Sequence, residues 1–211
     1  MSMSRSLSTH LTKKIVICSN EEDSEEEEEQ VEKLVTVVDN NIYFYTDVCE
    51  KSIKELLVHI KEITKKNQII GIIFDIEPPK INLYINSQGG CLYSALAIID
   101  IIASNPVEIN TIVSGVCMSA ATLILLSGHN RYMMPNSYML IHNISSGFWG
   151  KMHEFEDEMK NLNELTKKLK EIYKKNSNIS RSQLDKLLKT DIIIPADDCL
   201  KYGLIHEIKS I

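Results

Sequence analysis

The sequence of 211 residues has no apolar run that approaches the ~18–20 residues a membrane-spanning helix needs. Two short apolar segments, residues 15–18 and 120–126, are also too short for the core of a signal peptide. We therefore expect a soluble protein that is not secreted by the classical route and that has no membrane partner.

Basic charge is scarce as well. The formal net charge is -6, and no stripe of lysine and arginine is interleaved with aromatic residues, which make up only 6% of the chain. Binding to nucleic acid depends on such a basic surface. The composition therefore disfavours a nucleic-acid partner.

The five cysteines form no CxxC pair, and they are scattered along the chain. A disulfide framework uses an even number of cysteines, and zinc sites usually contain closely spaced ligands. We predict reduced thiols packed as small apolar residues, no metal site, and a location in the cytoplasm or an organelle lumen.

The overall composition, 44% hydrophobic and 25% charged, is that of a globular chain that can bury a core without disulfides or metals. Residues 1–33 differ, because they are rich in serine and contain the block EEDSEEEEE at positions 21–29. Like charges in such a block repel one another and favour hydration. We predict that residues 1–33 are a polar, acidic segment that is disordered or processed, and that residues 34–211 form the folded domain.

Strand-like and helix-like patterns alternate from residue 34 onward. Short runs rich in β-branched and aromatic residues predict strands at residues 35–38, 42–45, 81–86, 109–113 and 138–142. Helical spacing of apolar residues and capping signals predict helices at residues 52–65, 92–103, from about 118, 151–175, from 180, and 195–202. This alternation is typical of an α/β fold with mainly parallel strands.

Four polar motifs lie at the ends or beginnings of these elements. Ser119, in GVCMSAA, lies at a predicted helix start, where unpaired amides can stabilise an alkoxide or an oxyanion. The two glycines of NSQGG end a strand and allow backbone amides to approach a ligand. His142 ends a strand in PNSYMLIH, and Asp191 opens an apolar run. Each of these residues alone is more typical of a cap or a packing residue, so the combination carries the information.

Together, NSQGG, GVCMSAA, PNSYMLIH and PADDCLKYGLI resemble the motifs of the proteolytic subunit of the Clp protease. In that family the corresponding segments read NSPGG, GQAASMGA, PN(S)xxMIH and D-x-x-x-S/T-A-x-E-A-x-x-Y-G-L-I/V. The resemblance covers residues 34–208 and keeps the chain order of serine, histidine and aspartate. It implies the α/β spiral fold of repeated β-β-α units that Clp subunits share with crotonases, with a long protruding handle helix at residues 151–175.

The resemblance also implies the role of each site residue. Ser119 would be the nucleophile, His142 the general base and acid, and Asp191 the group that orients the histidine. The backbone amides of Gly90 and Ala120 would form the oxyanion hole. The implied activity is that of a serine endopeptidase that degrades unfolded proteins to short peptides through an acyl-enzyme.

Several positions differ from the family pattern. Gln88 replaces the proline of NSPGG, Val116 replaces a glutamine, Ala120 replaces the methionine after the nucleophile, and Ala121 replaces a glycine. These differences concern the primary specificity pocket and leave the three side chains of the triad in place. The segment that lines the axial pore in the family has no recognisable counterpart, and the acidic block stands in its place.

The resemblance further implies a homo-oligomer of two stacked heptameric rings joined through the handle helix. Its partners would be an AAA+ Clp ATPase, which hydrolyses ATP, and unfolded polypeptide substrates; the subunit itself would need no cofactor. The apolar stripe of residues 151–175 fits the handle and equally fits ordinary core packing.

Two other functions fit parts of the sequence. A crotonase-group acyl-CoA enzyme would use two backbone amides to bind a thioester enolate and would not need the serine, histidine and aspartate as a set. A non-catalytic subunit of a mixed Clp ring would have the same fold, but such subunits generally lack members of the triad.

Overall fold

The computed structural model describes residues 33–210, which fold around one eight-stranded sheet. The strands are β1 (Val35–Val38), β2 (Asn41–Phe44), β3 (Ile81–Ser87), β4 (Ile109–Met118), β5 (Asn130–Met133), β6 (Tyr138–Leu140), β7 (Ile193–Pro195) and β8 (Glu207–Ile208). The helices are α1 (Glu50–Phe74), α2 (Leu92–Ala103), α3 (Ala121–Leu126), α4 (Met152–Lys175), α5 (Arg181–Leu187) and α6 (Ala196–Lys201). The predicted acidic segment, residues 1–33, lies outside the described residues except for Lys33.

The sheet runs in the order β1-β2-β3-β4-β5-β8, with β6 beside the end of β4 and β7 beside β6. The pairings β1–β2 and β6–β7 are antiparallel, and the other five are parallel. Parallel neighbours need a crossover connection, and α1, α2 and α3 supply it between successive strands from β2 to β5. The prediction of an α/β fold with mainly parallel strands is confirmed.

One face of the sheet forms the core with the helices. In β2, for example, Ile42 and Phe44 are fully buried while Asn41 and Tyr43 on the other face are partly exposed, as expected for side chains that alternate along a strand. All six side chains of α3 are buried. Burying each large aliphatic side chain contributes about 1.5–3 kcal/mol, so α3 is a firmly anchored element.

The other face of the sheet carries a ladder of four asparagine side chains, one from each of β2, β3, β4 and β5. Asn82 donates to Asn41 at 3.0 Å, Asn110 to Asn82 at 2.9 Å, and Asn130 to Asn110 at 3.0 Å. These residues are also Cα partners in the parallel register. The ladder therefore links four strands and favours their observed register.

Strand β4 changes its partner halfway along its length. Its first half pairs with β5 and its last three residues pair with β6. Gly115 lies at the change with φ of 107°, and its amide donates to the hydroxyl of Ser137 at 2.9 Å. The next amide, that of Val116, donates to the side chain of Asn86 at 3.1 Å. The end of β4 therefore pairs with β6, and the residues that follow β4 and β6 lie side by side.

Helix α1 differs from the sequence expectation in an informative way, whereas helix α4 matches the predicted residues 151–175 to within one residue. Helix α1 continues to Phe74, nine residues beyond the predicted end at residue 65. The added turns have no amphipathic pattern, because residues such as Ile72 and Phe74 are exposed. Helix α4 buries Leu169 and Tyr173 near its end, but its first turns extend away from the core. Among residues 33–210, no helix is long and apolar enough to cross a membrane.

Candidate active site

Ser119 is the first residue after β4, and its backbone adopts a left-handed conformation with φ of 52°. Its amide donates to the carbonyl of Leu140 in β6 at 2.9 Å, and its carbonyl accepts from the amide of Thr122 at 3.0 Å. A left-handed conformation costs a residue with a side chain about 1–2 kcal/mol, and such conformations cluster at functional turns. Ser119 thus lies on a sharp turn between a strand and the buried helix α3.

The glycine loop, residues 88–90 directly after β3, packs against this turn. A Cβ atom added to Gly89 would lie 2.7 Å from Cβ of Ser119, so a larger residue would displace the turn. Val48 holds the loop from its other side: its amide donates to the carbonyl of Gly89 at 2.8 Å, and its carbonyl accepts from the amide of Cys91 at 2.7 Å. Gly90, between these two bonds, has φ of 143°.

Two backbone amides remain available between the loop and the turn. The backbone hydrogen bonds of residues 33–210 leave the amides of Gly90 and Ala120 without a carbonyl partner. One amide belongs to the glycine loop and the other to the residue after Ser119. Two such donors near a nucleophile are the arrangement that stabilises an oxyanion in acyl transfer.

His142 and Asp191 meet because of the pairing between β6 and β7. The antiparallel register sets Leu140 opposite Ile193, and continuing it by two residues brings His142 opposite Asp191. Nδ1 of His142 and Oδ1 of Asp191 lie 3.0 Å apart, with the side chains 32% and 80% exposed. An ionised carboxylate can only accept, so it accepts the Nδ1 proton and leaves Nε2 to exchange a proton with a substrate or a nucleophile.

Ser119 and His142 follow neighbouring strands. The parallel register sets Met118 of β4 opposite Leu140 of β6, and neighbouring strands lie about 4.8 Å apart. Within residues 33–210, the Ser119 hydroxyl makes no hydrogen bond to the His142 ring. The structure therefore joins His142 and Asp191 directly, and it places Ser119 at the end of the neighbouring strand β4.

Burial controls the ionisation of the groups behind the site. It raises the pKa of the Cys117 thiol and of the Tyr173 phenol well above their ordinary values. Both groups are therefore neutral at physiological pH. Two histidines elsewhere in the described chain have structural roles: the ring of His129 accepts a hydrogen bond from the amide of Ile109 at 3.1 Å, and that of His206 accepts one from the amide of Arg131 at 3.2 Å. Residues 33–210 contain no group of three histidine, cysteine or acidic side chains that could hold a metal ion.

Some residues that shape the site were not predicted from the sequence. Val48 holds the glycine loop, but nothing in its local sequence indicates this, because the contact joins residues about 40 positions apart. The side chain of Asn86 accepts a hydrogen bond from the Val116 amide where β4 changes its partner, and its place in NSQGG was the only available signal. Thr122 contacts the carbonyl of Ser119, and it looks in the sequence like one more core residue of α3.

The fold and the site define a class of protein: an α/β protein with a serine at a strand-to-helix turn, next to a paired histidine and aspartate. The chain matches the sequence model of the Clp protease family over residues 44–211, which is more than half of its length. It therefore belongs to the Clp protease family.

A curated relative agrees with this assignment. The chain is 29% identical, over 171 residues, to the ATP-dependent Clp protease proteolytic subunit of Deinococcus radiodurans. The matched region covers 77% of this chain and 84% of the relative. The predicted family and the predicted class, a serine-type peptidase that acts as a Clp proteolytic subunit, are confirmed, and neither the acyl-CoA enzyme nor the non-catalytic subunit is favoured.

Proposed function

We propose that this chain cleaves peptide bonds with Ser119 as nucleophile, His142 as general base and acid, and Asp191 as the residue that orients His142. The observation that carries the proposal is the 3.0 Å contact between His142 and Asp191 beside the turn of Ser119. A carboxylate bonded to Nδ1 keeps the histidine in the tautomer whose Nε2 can accept the serine proton.

The proposed reaction has two halves. The Ser119 oxygen attacks the carbonyl carbon of the scissile bond while its proton moves to Nε2 of His142, and the amides of Gly90 and Ala120 stabilise the resulting oxyanion. His142 then gives the proton to the leaving amine, and an acyl-enzyme remains. Water attacks this ester with His142 again as base, and the second peptide product leaves with a new carboxyl group.

The absent bond between Ser119 and His142 is compatible with this mechanism. Catalytic hydrogen bonds are often long in free enzymes and tighten only when substrate binds. Because Asp191 is largely exposed in the single chain, we infer that assembly with neighbouring subunits covers this pair and fixes its geometry. The same pair in a desolvated site would interact more strongly.

We further propose that the chain forms two stacked heptameric rings, which receive unfolded polypeptides from an AAA+ ATPase partner. The support is the first half of α4, where Met152, Phe155 and Met159 are exposed on one face. Exposed apolar patches of this kind usually mark interfaces. The described cysteines, all free, support a reducing compartment such as the cytoplasm.

The test of the triad is Ser119→Ala. Loss of a triad serine typically lowers turnover about 10⁶-fold, so the variant should not cleave short fluorogenic peptides although it assembles normally. The matched control is Ser127→Ala, which also removes one hydroxyl, here bonded to the carbonyl of Ile124 at 2.7 Å and outside the site. A fluorophosphonate should label wild type and control at Ser119 only. Normal turnover by Ser119→Ala, or a label on another serine, would contradict the proposal.

A further inference from the structure

The carbonyl of Ser119 is held by a buried hydrogen-bond chain that reaches helix α4. It accepts from the Thr122 amide at 3.0 Å and from the Thr122 hydroxyl at 2.6 Å. The Thr122 hydroxyl is in turn hydrogen-bonded to the hydroxyl of Tyr173, in the last turn of α4. Thr122 is fully buried and Tyr173 is 1% exposed, so water cannot replace either contact.

The chemistry of the three groups determines which of them donates each hydrogen bond in the chain. A carbonyl oxygen can only accept, so the single proton of the Thr122 hydroxyl is donated to Ser119. The Tyr173 hydroxyl must therefore be the donor to Thr122. Burial keeps Tyr173 protonated by raising its pKa, which makes it a permanent donor.

The bond to the Ser119 carbonyl also sets the direction of the next amide. The carbonyl of Ser119 and the N–H of Ala120 belong to one planar trans peptide unit, in which they point in opposite directions. Fixing the carbonyl toward Thr122 therefore aims the Ala120 amide away from the core. This amide is one of the two without a carbonyl partner, and it is a proposed oxyanion donor.

We propose that Thr122 and Tyr173 are positioning residues, which aim the Ala120 amide at the oxyanion by anchoring the carbonyl of Ser119. The inference rests on the proposed function of Ser119. It predicts an effect on the transition state and not on substrate binding, because an oxyanion forms only during the reaction. The loss of the Thr122 hydroxyl should consequently lower kcat and leave KM unchanged.

Three substitutions in the hydrogen-bond chain test whether Thr122 and Tyr173 position the Ala120 amide. Thr122→Val keeps the shape and removes the hydroxyl, and we expect kcat to fall about tenfold, the equivalent of ~1.4 kcal/mol. Tyr173→Phe leaves the Thr122 bond to Ser119 intact but unsupported, and we expect kcat to fall about threefold. Thr122→Ser keeps the hydroxyl and should restore most of kcat. KM should stay within about twofold of wild type in all three.

A matched control separates positioning from stability. Thr111→Val also removes a fully buried threonine hydroxyl, one that donates to the carbonyl of Leu125 in the same helix α3 at 2.8 Å. It should lower Tm as much as Thr122→Val but leave kcat unchanged. The kcat values are compared between preparations of the same native mass. The concentration of active sites in each preparation is measured by fluorophosphonate labelling.

The outcomes are distinct. The positioning role is overturned if Thr122→Val and Thr111→Val have the same kcat, or if Thr122→Ser does not recover activity. If Thr122→Val does not fold, the milder Tyr173→Phe decides, and a wild-type kcat then overturns the proposal. Failure of the proposed function looks different, because wild-type Ser119 would then carry no label at all.

Discussion

Gly89 shows how closely the site depends on single residues. Its φ is 96°, a conformation that side chains rarely adopt, and an added Cβ would lie 2.6 Å from the carbonyl oxygen of Met118 and 2.7 Å from Cβ of Ser119. The glycine is required because two backbone segments meet here at the nucleophile turn. A larger residue must either distort the loop or push Ser119 out of place.

We therefore predict that Gly89→Ala lowers kcat/KM for a short peptide by about 10²-fold or more, the usual cost of displacing a catalytic group by about 1 Å. The control is Gly147→Ala, because a Cβ at Gly147 would meet no atom within 4 Å. Steady-state kinetics with a fluorogenic peptide would measure both variants. Equal activity of the two would show that the contact between the loop and the turn is not needed.

The buried cysteines give a second prediction for individual residues. Cys117 and Cys199 are fully buried, and burial raises the pKa of Cys199 to about 12 and that of Cys117 still more clearly. Since alkylation requires an accessible thiolate, both should resist iodoacetamide at pH 8 in the native protein and react after unfolding. Cys49 and Cys91 are partly exposed and should react first. Peptide mapping by mass spectrometry would measure this order, and early modification of Cys117 would contradict the buried position.

Among the elements, the asparagine ladder makes a measurable contribution to the sheet. Asn82 makes two bonds of the ladder, whereas Asn41 at its end makes one. At about 0.5–1.5 kcal/mol for each net hydrogen bond, Asn82→Ala should lower the free energy of unfolding by about 1–3 kcal/mol and Asn41→Ala by about half as much. Urea denaturation at fixed protein concentration would test this. Equal losses from the two variants would mean that the ladder does not act as a chain of independent bonds.

The predictability of the elements follows from how each is buried. Helix α2 was predicted at its observed bounds, because its buried residues recur at helical spacing. The end of α1 and the second half of β4 were missed, because exposed isoleucines and Gly115 interrupt the patterns that local sequence provides. Strands β5, β7 and β8 were also missed, since they have only two to four residues and form by pairing with strands distant in sequence.

For the molecule as a whole, the site is a product of strand register. Asp191 lies opposite His142 only because β7 pairs with β6, and Ser119 lies beside them only because β4 leaves β5 for β6. Residue spacing in the sequence contains none of these pairings. The four motifs could therefore be recognised as a set through their resemblance to a family, while their geometry required the folded chain.

Helix α4 connects the core with the exposed surface, and the two ends of its apolar stripe have different roles. Leu169 and Tyr173 are buried in the core, whereas Met152, Phe155 and Met159 are exposed in the single chain. The single apolar stripe in the sequence was thus consistent with both core packing and an interface. In the structure its C-terminal end packs in the core. The exposed half is the surface that ring stacking would bury.

We predict that Phe155→Glu combined with Met159→Glu separates stacked rings, because two buried charges without partners would face each other across the interface. Native mass spectrometry should show the assembly fall from about fourteen chains to about seven, the result of separating the halves of a symmetric double ring. The control is Asn161→Glu, which adds a single negative charge on the opposite, exposed face of α4 and should leave the mass unchanged. An unchanged mass for the double variant would exclude this face of α4 from the interface. A wild-type monomer that cleaves peptides would refute the ring chamber itself, because its active sites would be open to any folded protein.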